Sequence, residues 1–109
     1  MAGFEPIVVF VTTANFEEAR RIADALILEK KAACVNIVPG VHSIYRWEGK
    51  IEHSDEHLLI VKTRAALFTE VADTIKSLHS YKVPEIIALP IIDSNPDYIA
   101  WLGLETEGV

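Results

Sequence analysis

The chain has 109 residues, 50% hydrophobic and 24% charged, enough for one domain around one core and too few for a second. Sixteen acidic against ten basic residues give a net charge of -6, and the basic residues are scattered apart from Lys30-Lys31. A basic stripe for nucleic acid or an anionic membrane surface is thereby excluded, and no apolar run approaches the ~20 residues that span a bilayer.

"PIVVFVTT" (6–13) is short, β-branched and almost wholly apolar, the pattern of a central strand buried on both faces. Asn15 followed by Glu18 forms a capping-box pattern, Glu17 and Glu18 suit the positive end of a helix dipole, and Lys30-Lys31 suit the negative end. With Ala19, Ile22, Ala23 and Leu26 at helical spacing, a first helix is expected over 16–31. "AACVNIVPG" (32–40) is strand-like, and Pro39-Gly40 should bulge or interrupt it rather than end it, because strand-like residues continue beyond. The turn falls at "WEGK", where Gly49 supplies a positive φ, so 41–48 and 50–63 should pair as a long antiparallel ribbon. Its outer part, "RWEGKIEHSDEH", is too polar to build a core, and a ribbon of two strands is marginal alone, so it must pack on something.

Leu67, Val71, Ile75 and Leu78 mark a second helix over 65–79, with His79 in its last turn. "PEIIALPII" (84–92) reads as the fourth strand, and "SNPDYIAWLG" (94–103) as a short helix with Asn95 as N-cap, Pro96 at the first position and Gly103 as stop. The order is α+β: a ferredoxin-like βαββαβ sandwich with a long central hairpin and a short C-terminal helix, occupying 1–109 as a single domain. Both crossover helices would cover one face of the sheet, and association is the economical way to bury the other.

Candidate chemistry is sparse. His53 and His57 are spaced for a helical metal site, but on a strand four residues put them about 13 Å apart, too far to share an ion. Cys34 has no local His or second thiol and reads as a small buried hydrophobe. As the lone cysteine it forms no intramolecular disulfide, and the start "MAGFEPIVVFVTTAN" lacks a secretory pattern, so a reducing, cytoplasmic setting is expected. Tyr45 and Trp47 alternate on one ribbon face and suit either a subunit interface or a stacking wall. Pro84 opens the last strand and displays Tyr81, Lys82 and Glu85 at the end of the sheet. No nucleophile–base–orienter set and no Gly-rich phosphate loop is present, and the first loop, "TTAN", lacks the Arg an acylphosphatase-like hydrolase would need. Binding is favoured over catalysis, and the chain is not expected to be an enzyme.

"VFVTTAN", "EKKAACVNIVPGVHSIYRWEGKIE", "SYKVPEIIALPI" and "YIAWL", in this order, resemble the CutA family of divalent-cation tolerance proteins over residues 7–102. That resemblance implies a ferredoxin-like homotrimer, related in architecture to PII signalling proteins, whose long hairpins pair across subunits. It implies copper tolerance and copper binding, as in bacterial members, with membrane-protein partners in animal members. The family's metal ligands fall on Thr12, Leu78 and His79, so His79 is the one metal candidate retained. The shared positions Cys34, Tyr45, Trp47, Lys62, Tyr81 and Glu85 are implied to line a cleft between subunits.

The expected function is therefore a non-catalytic homotrimer that binds divalent cations, copper foremost, with no obligatory cofactor and no nucleic-acid or membrane partner. The alternative is a PII-like signalling or scaffold trimer that takes a small molecule or protein segment in the inter-subunit cleft.

Overall fold

A computed structural model describes residues 3–107. The elements run β1 (Pro6–Thr13), α1 (Phe16–Leu28), β2 (Cys34–Trp47), β3 (Lys50–Arg64), a 3-10 turn (Ala65–Leu67), α2 (Phe68–Leu78), β4 (Ile86–Pro90) and α3 (Pro96–Glu105). The strands form one antiparallel sheet in the order β2-β3-β1-β4. This is the ferredoxin-like order, with α1 and α2 side by side on one face.

Period-2 alternation explains the core. Ile7, Val9 and Val11 of β1 and Leu59 and Val61 of β3 point to the helix side and meet Ile22 and Leu26 of α1 and Val71 and Ile75 of α2. The opposite face carries Val8, Phe10, Thr12, Leu58, Ile60, Ile87 and Leu89, by their pairing. β1 is thus central as expected but closed on one face only, since a single chain supplies little cover for the second. Ile87 and Leu89 remain exposed there.

The sheet's open face is partly roofed by α3. Arg64 of β3 donates to the Gly103 carbonyl and the Thr106 hydroxyl and lies over the Phe4 ring. Gly103, expected as the stop of this helix, lies inside it, because a Cβ there would come within 2.7 Å of Phe4. Close packing, not termination, requires this glycine.

Other boundaries moved for local reasons. α1 ends at Leu28 rather than 31: Lys30 adopts φ 57, and the Lys31 N–H closes on the Leu26 carbonyl at 2.9 Å. The last turn of α1 accordingly holds no basic residue, and Lys31 reaches Thr74 of α2 and Glu29 instead. His79 lies just past α2, with extended backbone, not in its last turn. β4 is shorter than 84–92, since it pairs with β1 only from Val11↔Ile86 to Ile7↔Pro90.

β2 and β3 form one ribbon, and the molecule measures 46 Å along its longest axis against 25 and 22 Å across. The ribbon turns at Glu48 and Gly49, both at positive φ (49 and 80), as a twisted two-residue hairpin needs. β2 pairs Val38 with Leu58 but Val41 with Glu56, a bulge at Pro39-Gly40 with Gly40 at φ 76. The extra residue shifts the alternation, so Cys34 and Asn36 share the open face with Ser43, Tyr45 and Trp47 despite opposite sequence parity.

Candidate functional site

At the end of the sheet, under the base of the ribbon, lies a pocket of about 530 Å³. Tyr45, Trp47 and Ser43 of β2 form one wall, and Tyr81, Lys82, Val83 and Glu85 of the α2–β4 connection form the other. Thr12 and Glu56 line the same space. The bulge puts Tyr45 and Trp47 on this face, and the short β4 leaves Tyr81 to Glu85 free of strand pairing.

Polar groups ranging from the sealed Glu56 to the exposed Tyr45 hold the wall in place. The Tyr81 hydroxyl donates to Glu56 Oε2 at 2.6 Å, and Tyr45 shares a 2.8 Å hydrogen bond with Ser54. Burial, with the Glu56 carboxylate added, pushes the Tyr81 phenol far up, so it stays a donor. The His79 side chain has no exposed surface. Its Nε2 lies 2.7 Å from the Thr12 carbonyl, which only accepts, and its Nδ1 receives the Tyr81 N–H at 3.0 Å. These partners fix the neutral tautomer with the proton on Nε2.

Glu18 ties the connection to α1. Its carboxylate accepts the N–H groups of Ala14 at 3.1 Å and Ser80 at 2.9 Å, and its own N–H binds Asn15 Oδ1 at 2.9 Å. The capping box read from the sequence thus exists on one side, while the carboxylate serves the site. Burial pushes Glu18 up, but the hydrogen bonds from Ser80 and Ala14 outweigh it and hold the group below its ordinary value.

Of the residues named from the sequence, the structure brings Tyr45, Trp47, Tyr81 and Glu85 to this pocket. Cys34 and Lys62 pair with each other on the same face, but Lys62 is six residues from Glu56 along β3, roughly 20 Å away. There Lys62 donates to Asn36, and Cys34 neighbours Tyr98 of α3, whose phenol is pushed up by burial and by that thiol. His79 has both ring nitrogens engaged, so a metal reaches Nδ1 only by displacing the Tyr81 N–H. The other two carried-over positions give it no help: Thr12 offers its backbone carbonyl to the ring, and Leu78 packs against the core. His53 and His57 share a ribbon face two pairs apart, as the strand spacing requires, with His57 against Phe16.

Two groups escaped the sequence reading. Glu56 is nearly sealed at 5% exposure although it sits in the polar ribbon; its parity with Leu58 and Ile60 was the available signal. The second is His42, which the register places diagonal to His53 and opposite Asp55. No group of three or more His, Cys, Asp or Glu side chains among the described residues is arranged to hold a metal ion.

The architecture defines a ferredoxin-like α+β domain with an overlong central hairpin and an aromatic, acidic pocket at its base. Residues 7–105 match the family of CutA1 divalent ion tolerance proteins, and the chain belongs to that family. It is 52% identical over 100 residues to a chloroplastic CutA 1 protein of rice, covering 92% of this chain and 56% of the relative. The chain thus spans about half the length of the curated plant relatives it matches. It is also 52% identical over 99 residues to the divalent-cation tolerance protein CutA of Thermus thermophilus, covering 91% and 96%. The crystal structure of rice CutA1 superposes with a TM-score of 0.95 at 47% identity over 100% of both chains. A CutA structure from Archaeoglobus fulgidus, described as periplasmic, gives 0.91 at 43% identity over 94% and 99%.

Proposed function

We propose that the chain is a non-catalytic homotrimer that binds divalent cations, copper foremost, in a cellular response to metal ions. The observation that carries association is the open sheet face: Val38, Tyr45, Trp47, Ile87 and Leu89 are each at least 37% exposed on one surface. An apolar face of this kind is stabilised by a second copy of the same sheet more readily than by water. The cation reading rests on relatives whose names are divalent-cation tolerance proteins and on the acidic balance of -6, which concentrates cations near the surface. No helix among the described residues is long and apolar enough to cross a membrane. A reducing compartment suits the lone free thiol of Cys34, and we place the protein in the cytoplasm on that ground.

His79 enters this reading differently from the sequence expectation. A ring with no exposed surface and two hydrogen bonds serves better as the pin of the pocket wall than as a copper ligand. Calorimetric titration of the purified protein with Cu(II) tests the function: saturable heat is expected, and none beyond the buffer response contradicts it. Unchanged affinity in His79→Ala assigns that residue to the wall, and a selective loss returns it to the ligands.

The second reading, a PII-like signalling or scaffold trimer, is favoured by the pocket itself. Tyr45, Trp47 and Tyr81 beside Glu56 and Glu85 suit a small molecule or a partner's segment completed by a neighbouring subunit. A thermal-shift screen against metabolites in the presence of a chelator separates the two, since ligands of the pocket stabilise without metal.

A further inference from the structure

His42 and His53 face each other across the ribbon, and we propose that they form a divalent-metal site of the Cu(II) type, distinct from the pocket. The inference rests on the cation-binding reading and gives it a place. His42 Nδ1 lies 2.9 Å from Asp55 Oδ1, and His42 Nε2 lies 2.9 Å from His53 Nδ1. An ionised carboxylate only accepts, so the proton of neutral His42 sits on Nδ1 and its Nε2 carries a bare lone pair. That lone pair is directed at the ring nitrogen of His53, which donates to it. The ring centroids are 5.1 Å apart.

This is the outer half of a carboxylate–histidine–metal arrangement: Asp55 fixes the His42 tautomer and leaves Nε2 as the free ligand atom. Two ligand nitrogens, each about 2.05 Å from one ion and at a right angle, stand about 2.9 Å apart, which is the spacing found here. A borderline ion that prefers imidazole and cis square-planar edges, such as Cu(II), replaces the shared hydrogen bond once each ring turns by roughly 45° to aim its lone pair off the N–N line. The proton balance closes within His53, whose hydrogen moves from Nδ1 to Nε2 as Nδ1 coordinates. Water fills the remaining positions, since both histidines are exposed.

The backbone holds the pair in position. Register pairs His42 with Asp55 and Ile44 with His53 on one ribbon face, where Arg46 and Ile51 are the next residues toward the turn. The pairing around the site is unbroken from Val41↔Glu56 to Trp47↔Lys50, so the backbone positions from which the two rings project are fixed.

The test is Cu(II) alone, added to the full chain, read by calorimetry and by electron paramagnetic resonance. The wild type should show two-imidazole nitrogen coupling. His53→Ala and His42→Ala should each weaken Cu(II) at least tenfold and lose that coupling, with circular dichroism and melting unchanged. Asp55→Asn should weaken it by about tenfold, as loss of an outer-shell partner does, while keeping the coupling. Unaltered affinity and spectrum in His53→Ala overturn the ribbon site and leave cation binding intact. A wild type that takes up no Cu(II) overturns both.

Discussion

His79 and His42 each have polar partners at both ring nitrogens, yet one ring is sealed and the other is 53% exposed. His79 joins two segments far apart in the chain: β1 through the Thr12 carbonyl and the α2–β4 connection through the Tyr81 N–H. His42 joins only the two strands of the ribbon. The same residue type is therefore structural where its partners are backbone groups that have no water to turn to. It is available to a ligand where one partner is an exposed imidazole. The number of buried groups left unpaired, not the imidazole itself, sets what each is worth to the fold.

Breaking the sealed end should cost most. His79→Ala strands the Thr12 carbonyl and the Tyr81 N–H and should lower stability by about 2–4 kcal/mol in urea unfolding. Tyr81→Phe removes the single phenolic donor to a nearly sealed carboxylate and should cost about 1–3 kcal/mol by the same measurement.

Glu18 sharpens the contrast through pH. Its carboxyl is held below the ordinary 4.5 in the fold, so its stabilisation is fully present above that value and is lost as pH falls through the folded-state value. Unfolding free energy measured from pH 6 downward should therefore fall on the acid side of 4.5, and Glu18→Gln should flatten that fall. A slope identical in both proteins would remove Glu18 from the account. The smallest effect belongs to the open end: His42→Ala should change stability by no more than about 0.5 kcal/mol, as for other exposed positions.

Much of this was legible in the sequence. Alternation and helical spacing give the element order and most of the core, because burial on one face is a local pattern that chain order preserves. Boundaries were harder. Gly103 looked like a helix stop, and only the Phe4 ring packed against it explains a glycine inside α3. Tyr45, Trp47, Tyr81 and Glu85 were found because exposed aromatic and charged groups near a turn or proline stand out from core patterns. Glu56 and the second role of Glu18 were not, since each depends on contacts across 25 and 62 residues of sequence. The His42–His53 pair lay between these cases. The "WEGK" turn implies the pairing of 44 with 53, but residue spacing along one strand does not show the neighbour on the other.

Native mass spectrometry of the protein mixed with Cu(II) tests the central claim most directly, because subunit number and metal uptake are read from one spectrum. A species of three chains of 12.1 kDa each, carrying one copper per chain, is predicted. A single-chain species, or a trimer that takes up no copper, would contradict it.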